Sequence, residues 1–202
     1  MIHTIQKPVS ATIKILRSEF IAFLYPVSSF EGLQDILRQH QTDYANATHN
    51  CYAYVLGYKQ EIEYYSDAGE PGGTAGKPIL NSLLRNSLSG VLAIVTRYYG
   101  GIKLGVKGLI DAYTEATQAA IDQAELVPYI LYRDVTISTD YGFLESLRHQ
   151  LRDYQIIETE AIYTDKVSLS LRVPEQRYSD LRDFLVGFKA TGRLDFTMED
   201  QS

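Results

Sequence analysis

Apolar, β-branched and aromatic residues crowd positions 11–16 and 19–26, the second stretch running EFIAFLYP, and both predict strands. Ser28 or Ser29 can then cap a helix from about Phe30 to His40, with Leu33, Ile36 and Leu37 on one face. In CYAYVLGY the small residues Cys51, Ala53 and Val55 alternate with the bulky Tyr52, Tyr54 and Leu56. That is the pattern of a strand with two different faces. EIEYYS follows as its expected hairpin partner across GYKQ. Beyond a glycine-rich stretch, Pro78 suits the first turn of a helix reaching about Leu88, because its missing N–H would go unbonded there in any case. GVLAIVTRY is apolar without interruption up to Thr96, which predicts a central strand covered on both sides. After YGGIKLG, Leu109, Ala112, Ala116, Ala119 and Ala120 form the small-residue face of a long helix from about Val106 to Glu125.

The pattern restarts near Val127 and Pro128. Strand YILYRDVTIST, helix 141–153, strands QIIETEAIY and KVSLSLRV, helix 175–186 and strand RLDFTM give a βαββαβ order, which is ferredoxin-like. Val167, Leu169, Leu171 and Val173 alternate with polar residues, so one face of this sheet should be wet. The expectation is an α/β domain over 1–127 followed by an α+β domain over 128–202, each large enough to bury its own core.

Charge changes this picture locally. The net charge of −6 argues against a chain that coats nucleic acid non-specifically. Yet the forty residues from Pro71 to Ile110 contain no Asp or Glu and carry Lys77, Arg85, Arg97, Lys103 and Lys107. Such a tract is either buried strand and glycine loop or a surface that meets an anion. Residues 1–127 hold 10 basic and 12 acidic side chains, while residues 128–202 hold 9 and 13. The more acidic second half, which lacks a glycine loop, reads as a docking or dimerising module more than a chemical site. The start of the chain has no signal-like apolar core, and the apolar run Phe20–Val27 is too short to span a bilayer. A single cysteine, Cys51, suits a reducing compartment, so a cytoplasmic protein without membrane association is expected. No Cys/His cluster suggests a metal, and no cofactor is implied.

Two glycine-rich loops carry the candidate chemistry. DAGEPGGTAGKP holds Gly69, Glu70, Pro71, Gly73, Thr74, Ala75 and Gly76, and YGGIKLG holds Gly100, Gly101 and Gly105. The first is not a phosphate loop of the GxxxxGK[ST] kind, since Pro71 and Pro78 occupy the first glycine and the hydroxyl positions. Each loop leads into a helix start, whose free N–H groups can hold an anion, with Lys77, Arg97, Lys103 and Lys107 supplying cations. Alternatively the glycines serve only as positive-φ turns. Tyr98 and Tyr99 beside Arg97 could stack unpaired bases, or could be ordinary packing residues. Cys51, two residues from His49, reads as structural, and Glu70 is the best single carboxylate for acid or base work.

FIAFLYPVSSFE, ATHNCYAY, SDAGEPGGTAGKPIL, VTRYYGGIKLG and GLIDAYTEA together resemble the signature of the IMPACT family, most closely its bacterial YigZ-type members, over roughly residues 17–121. The resemblance implies an α/β first domain similar to the second domain of a small-subunit ribosomal protein. It implies a second domain similar to domain V of elongation factor G. Eukaryotic members regulate translation by competing for the partner that activates an initiation-factor kinase. For bacterial members, which lack that pathway, the family suggests association with RNA or a ribosomal particle without catalysis. The second domain would be available for a protein partner. The other readings are a small enzyme acting on an anionic substrate at the glycine loops, with Glu70 or Cys51 in the chemistry, and a pure protein-interaction module. Three positions depart from the family pattern: Ala68 for the second Asp of DDGEP, Lys107 for a Gly, and Asp111 for an Arg. The last two could pair one helical turn apart.

Overall fold

A computed structural model describes residues 1–198. The chain divides into two compact units, Met1–Tyr129 and Ile130–Ser202.

The first unit is built on an antiparallel five-stranded sheet in the order β2 (Val9–Ile15), β3 (Ser18–Pro26), β6 (Val91–Tyr98), β4 (His49–Leu56), β5 (Ile62–Ser66). The turn between β2 and β3 holds Leu16 and Arg17 at φ 45° and 68°. Two successive left-handed residues match the twist of the flanking strands. β6 is the middle strand, and seven of its eight residues are buried, as its unbroken apolar run predicts. In β4 the alternation sorts the two faces. Cys51, Ala53 and Val55 join the core beneath α2 (Gly76–Arg85) and α3 (Gly105–Gln123). Tyr54 and Leu56 pack on the opposite side with Leu33, Ile36 and Leu37 of α1 (Phe30–Asp43). Small side chains on one face let two helices approach closely. The Ser29 hydroxyl starts α1 by accepting from the Gly32 N–H at 3.1 Å. On α3, Leu109, Ala112, Ala116 and Ala120 are buried as expected, and so is Tyr113.

Two short strands have no counterpart in the apolar pattern. β1 (His3–Ile5) pairs antiparallel with β7 (Leu126–Pro128), with His3 opposite Pro128. Three residues are too few to show an alternation. Because this pairing ties Pro128 to the first unit, the division falls after Tyr129 and not before Pro128.

In the second unit, β8 (Tyr132–Thr139), α4 (Tyr141–Leu151), β9 (Ile157–Tyr163), β10 (Val167–Pro174), α5 (Glu175–Ala190) and β11 (Leu194–Met198) form an antiparallel sheet in the order β11-β8-β10-β9. This is the ferredoxin-like arrangement. Val167, Leu169, Leu171 and Val173 sit in its core with Leu144, Leu147, Leu181 and Leu185 of the two helices. Ser168 and Ser170 stand opposite Ser138 and Thr136 on the other, polar face. No helix among the described residues is long and apolar enough to cross a membrane.

Candidate functional site

The first glycine loop carries its own anion. The Asp67 carboxylate, at the end of β5, accepts from the backbone N–H groups of Gly73 (2.8 Å), Ala75 (3.0 Å) and Gly76 (2.8 Å). Three N–H groups of the loop and the start of α2 that could have cradled a phosphate are therefore taken by the chain's own carboxylate, which argues against the anion-site reading of this loop. Its glycines have backbone jobs. Gly69 and Gly73 lie at φ 90° and 77°, and a Cβ on Gly76 would stand 2.7 Å from the Ser66 backbone. Ala68 lies at φ 45°, a conformation that Asp tolerates better than Ala. Thr74 donates to the Pro71 carbonyl at 2.6 Å, and Ala75 is fully buried.

The second loop is fastened differently. Tyr99 N–H donates to the Thr48 hydroxyl at 2.9 Å, and Gly100 N–H to the Ser18 hydroxyl at 3.3 Å. A Cβ on Gly100 would lie 2.0 Å from the Arg17 carbonyl oxygen, so only glycine fits. Gly101 and Gly105 take φ 86° and 70°. α3 then starts at Gly105 with no side-chain cap and no acidic residue in its first turn. No acidic side chain of that first turn offsets its positive end.

Between the loops lies a buried polar cluster. Strand register puts Arg97 opposite Phe20 on one side and His49 on the other. Alternation turns it to the α2–α3 face with Val91, Ala93 and Val95. There Arg97 Nη1 donates to Glu70 Oε1 at 2.6 Å, with side-chain exposures of 6% and 3%. The Tyr113 hydroxyl donates to the same oxygen at 2.9 Å. Arg97 Nη2 reaches the Ser18 hydroxyl at 3.4 Å, whereas its Nε is buried without a partner. The Cys51 thiol donates to the Asp67 carbonyl at 2.9 Å and lies 3.4 Å from the Tyr113 hydroxyl. Burial pushes Cys51 up to about 12, and burial followed by the neighbouring Cys51 raises Tyr113. A thiol held protonated is a poor nucleophile, so Cys51 is a packing residue. His49 Nδ1 lies 2.9 Å from the Ala68 carbonyl, and its Nε2 lies 4.0 Å from Glu70 Oε2.

Beside this cluster opens a cavity of about 430 Å³, lined by Glu70, Pro71, Arg97, Tyr99, Lys103, Leu104, Gly105, Val106 and Leu109. Tyr99 is 44% exposed, and the Arg97 guanidinium stands 5.3 Å from the centre of its ring. Thus Arg97, Tyr99 and Lys103 are brought together, but not all as expected. Arg97 is not a free phosphate contact, because Glu70 neutralises it. Tyr98 is turned to the α1 face, where its hydroxyl donates to Asn46 Oδ1 at 3.2 Å. Lys77 is exposed on α2 and absent from the cavity wall. Lys107 is exposed on α3, and among the described residues no ion pair joins it to Asp111. The same residues offer no group of three or more metal-ligating side chains. Asp67, Tyr113 and Ser18 were not anticipated. Strand parity could have separated Tyr98 from Arg97, whereas nothing in the local sequence ties Asp67 to Gly76.

The chain matches the family model described as the Impact N-terminal domain over residues 16–121, and a domain of unknown function over residues 137–187. It is 35% identical over 188 residues to IMPACT family member YvyE of Bacillus subtilis (strain 168), covering 92% of this chain and 87% of that one. It is 30% identical over 185 residues to IMPACT family member YigZ of Escherichia coli (strain K12), covering 90% of each. A crystal structure titled as that of a hypothetical protein superposes with a TM-score of 0.69 at 28% identity, over 99% of this chain and 98% of that chain. The chain therefore belongs to the IMPACT family, and shares most of its length with bacterial members.

Proposed function

We propose that this chain binds unpaired RNA, free or on a ribosomal particle, and modulates translation without catalysing a reaction. One observation carries the reading. Tyr99 presents a half-exposed ring backed by a guanidinium, next to Lys103 and the uncapped start of α3. An aromatic plane beside cations is how single-stranded nucleic acid is held without sequence preference. The basic surface is smaller than the acid-free tract suggested, because Arg97 is spent on Glu70 and Lys77 lies away from the cavity. Lys103 remains, with Lys107 four residues further on, exposed in the first turn of α3. Membership of the IMPACT family supports translation as the process. The fold likenesses that the family implies, to the second domain of a small-subunit ribosomal protein and to domain V of elongation factor G, belong to this proposal.

A protein contact through the second domain complements it. Ile157, Ile162 and Tyr163 are exposed along β9, an edge strand of a domain whose charge disfavours RNA. The test is fluorescence anisotropy of a labelled single-stranded RNA. Tyr99→Ala should weaken binding by about 1–3 kcal/mol, the worth of one stacked base. Unchanged affinity in that variant, or no binding by the unaltered chain, would overturn the proposal.

A further inference from the structure

We infer that the outer edge of β5 takes up an extended segment of a partner protein, alternately basic and apolar, as a sixth strand of the first unit's sheet. β5 pairs with β4 on one side and ends the strand order on the other. Every residue from Glu61 to Tyr65 is exposed. An unpaired strand edge is a template for another chain, and proteins blunt it with proline, lysine, a bulge or a covering element. β5 has none of these. IEYYS contains neither proline nor lysine, and its register with β4 is unbroken from Ile62 to Ser66. β2, the other outer strand, contains Lys14 and packs against α3, with Ala11 in the core.

The two faces of this edge differ in chemistry. Ile62 and Tyr64 stand opposite Leu56 and Tyr54, on the side of the sheet that receives α1. The helix packs on β4 and its inner neighbours and leaves Ile62 and Tyr64 52% and 48% exposed. The Tyr64 ring stacks on Tyr54 with centroids 5.4 Å apart, and the exposed Phe30 meets Tyr54 edge-on at 6.3 Å. A fixed apolar shelf therefore adjoins the open edge. Glu63 and Tyr65 alternate with these residues and point to the opposite side, and Glu61 precedes the strand. A carboxylate and an aromatic face both attract Lys or Arg. Lys59 lies in the hairpin turn, and Lys77 follows Gly76, which meets the Ser66 end of the strand. Among the described residues no cation forms an ion pair with Glu61 or Glu63.

The occupant follows from this alternation. A strand laid along β5 gains its affinity from main-chain hydrogen bonds, and its side chains sort to the two faces with period two. Apolar residues then cover Ile62, Tyr64 and Phe30, while basic residues between them face Glu63 and Tyr65. A second copy of this chain would bring the same carboxylates to the same edge, where like charges oppose pairing. The shelf lies on the α1 face and the Arg97 cluster on the α2–α3 face, so this contact does not depend on the RNA site.

The probe is a fluorescent nine-residue peptide of alternating lysine and valine, KVKVKVKVK, titrated with the full chain. Its anisotropy should rise to saturation. KKKKKVVVV, which loses the alternation, and EVEVEVEVE, which reverses the charge, should bind about tenfold or more weakly. Glu63→Lys should weaken KVKVKVKVK by roughly fivefold, because an opposite-charge cross-strand pair becomes a like-charge one. Amide hydrogen exchange should slow between Ile62 and Tyr65 when the peptide is bound, which loose attraction to an acidic chain would not produce. No binding of KVKVKVKVK, equal binding of the two basic peptides, an affinity unchanged in Glu63→Lys, or unaltered exchange in β5 would each overturn the inference. So would protection of these amides that grows with the concentration of the chain alone, which would make a second copy the occupant.

Discussion

The two glycine loops look alike in sequence and differ in who supplies the charge. Both lead into a helix, both hold residues at positive φ, and both carry a lysine. At the first, Asp67 folds its carboxylate over three N–H groups, so the loop is closed on itself. At the second, α3 begins uncapped beside Tyr99 and Lys103. A glycine-rich helix start is thus a site only where the chain has not already filled it. The buried Glu70–Arg97 pair ties the first loop to the end of β6, and by neutralising Arg97 it leaves Tyr99 and Lys103 as the rim residues of the proposed RNA site.

The comparison can be broken hardest at that pair. Glu70→Leu or Arg97→Met alone should each cost about 3–5 kcal/mol, because either leaves a buried charge without its partner. The double variant should recover much of that loss, which denaturant unfolding of the single and double variants would reveal. Equal, additive losses would mean that the two residues act independently. Asp67→Ala should destabilise by about 2–4 kcal/mol, since it strands donors that now bond to a charged group. A loss below about 0.5 kcal/mol in the same measurement would show that the first loop is not self-capped. A milder effect concerns Cys51. With its ionisation pushed up to about 12, only about one molecule in ten thousand is thiolate at pH 8. A thiol reagent should therefore modify the folded chain slowly and the denatured chain rapidly. The raised value also means that the thiol favours the folded state below pH 9, and that this contribution fades as pH climbs from about 9 towards 12.

What was legible in the sequence was periodic. The alternation from Cys51 to Leu56 named both faces of β4, the apolar run of β6 marked the central strand, and the alanine face of α3 located its packing side. The site was legible only in its parts. Glu70 and Arg97 are 27 residues apart and meet because β4 brings its neighbours beside β6. Tyr113 hides in a row of alanines, where a helical period cannot announce that its hydroxyl will reach Glu70. The acid-free tract is compatible with buried strand and loop or with a surface that meets an anion, and folding gives it both, sending its cations to different fates. Lys77 stays exposed on α2, Arg97 goes inward, and Lys103 reaches the cavity.

The contrast between the loops makes one salt titration decisive. Anisotropy of a single-stranded RNA should be followed from 50 to 200 mM salt for the unaltered chain, Lys103→Ala and Lys77→Ala. Each phosphate contact contributes a slope of about −0.7 in log K against log salt, so Lys103 and Lys107 together give about −1.4 and roughly a sevenfold loss over this range. Lys103→Ala should bring the slope to about −0.7, and Lys77→Ala should leave it unchanged. A slope near zero for the unaltered chain, or an equal reduction by Lys77→Ala, would contradict the assignment of RNA to the open loop.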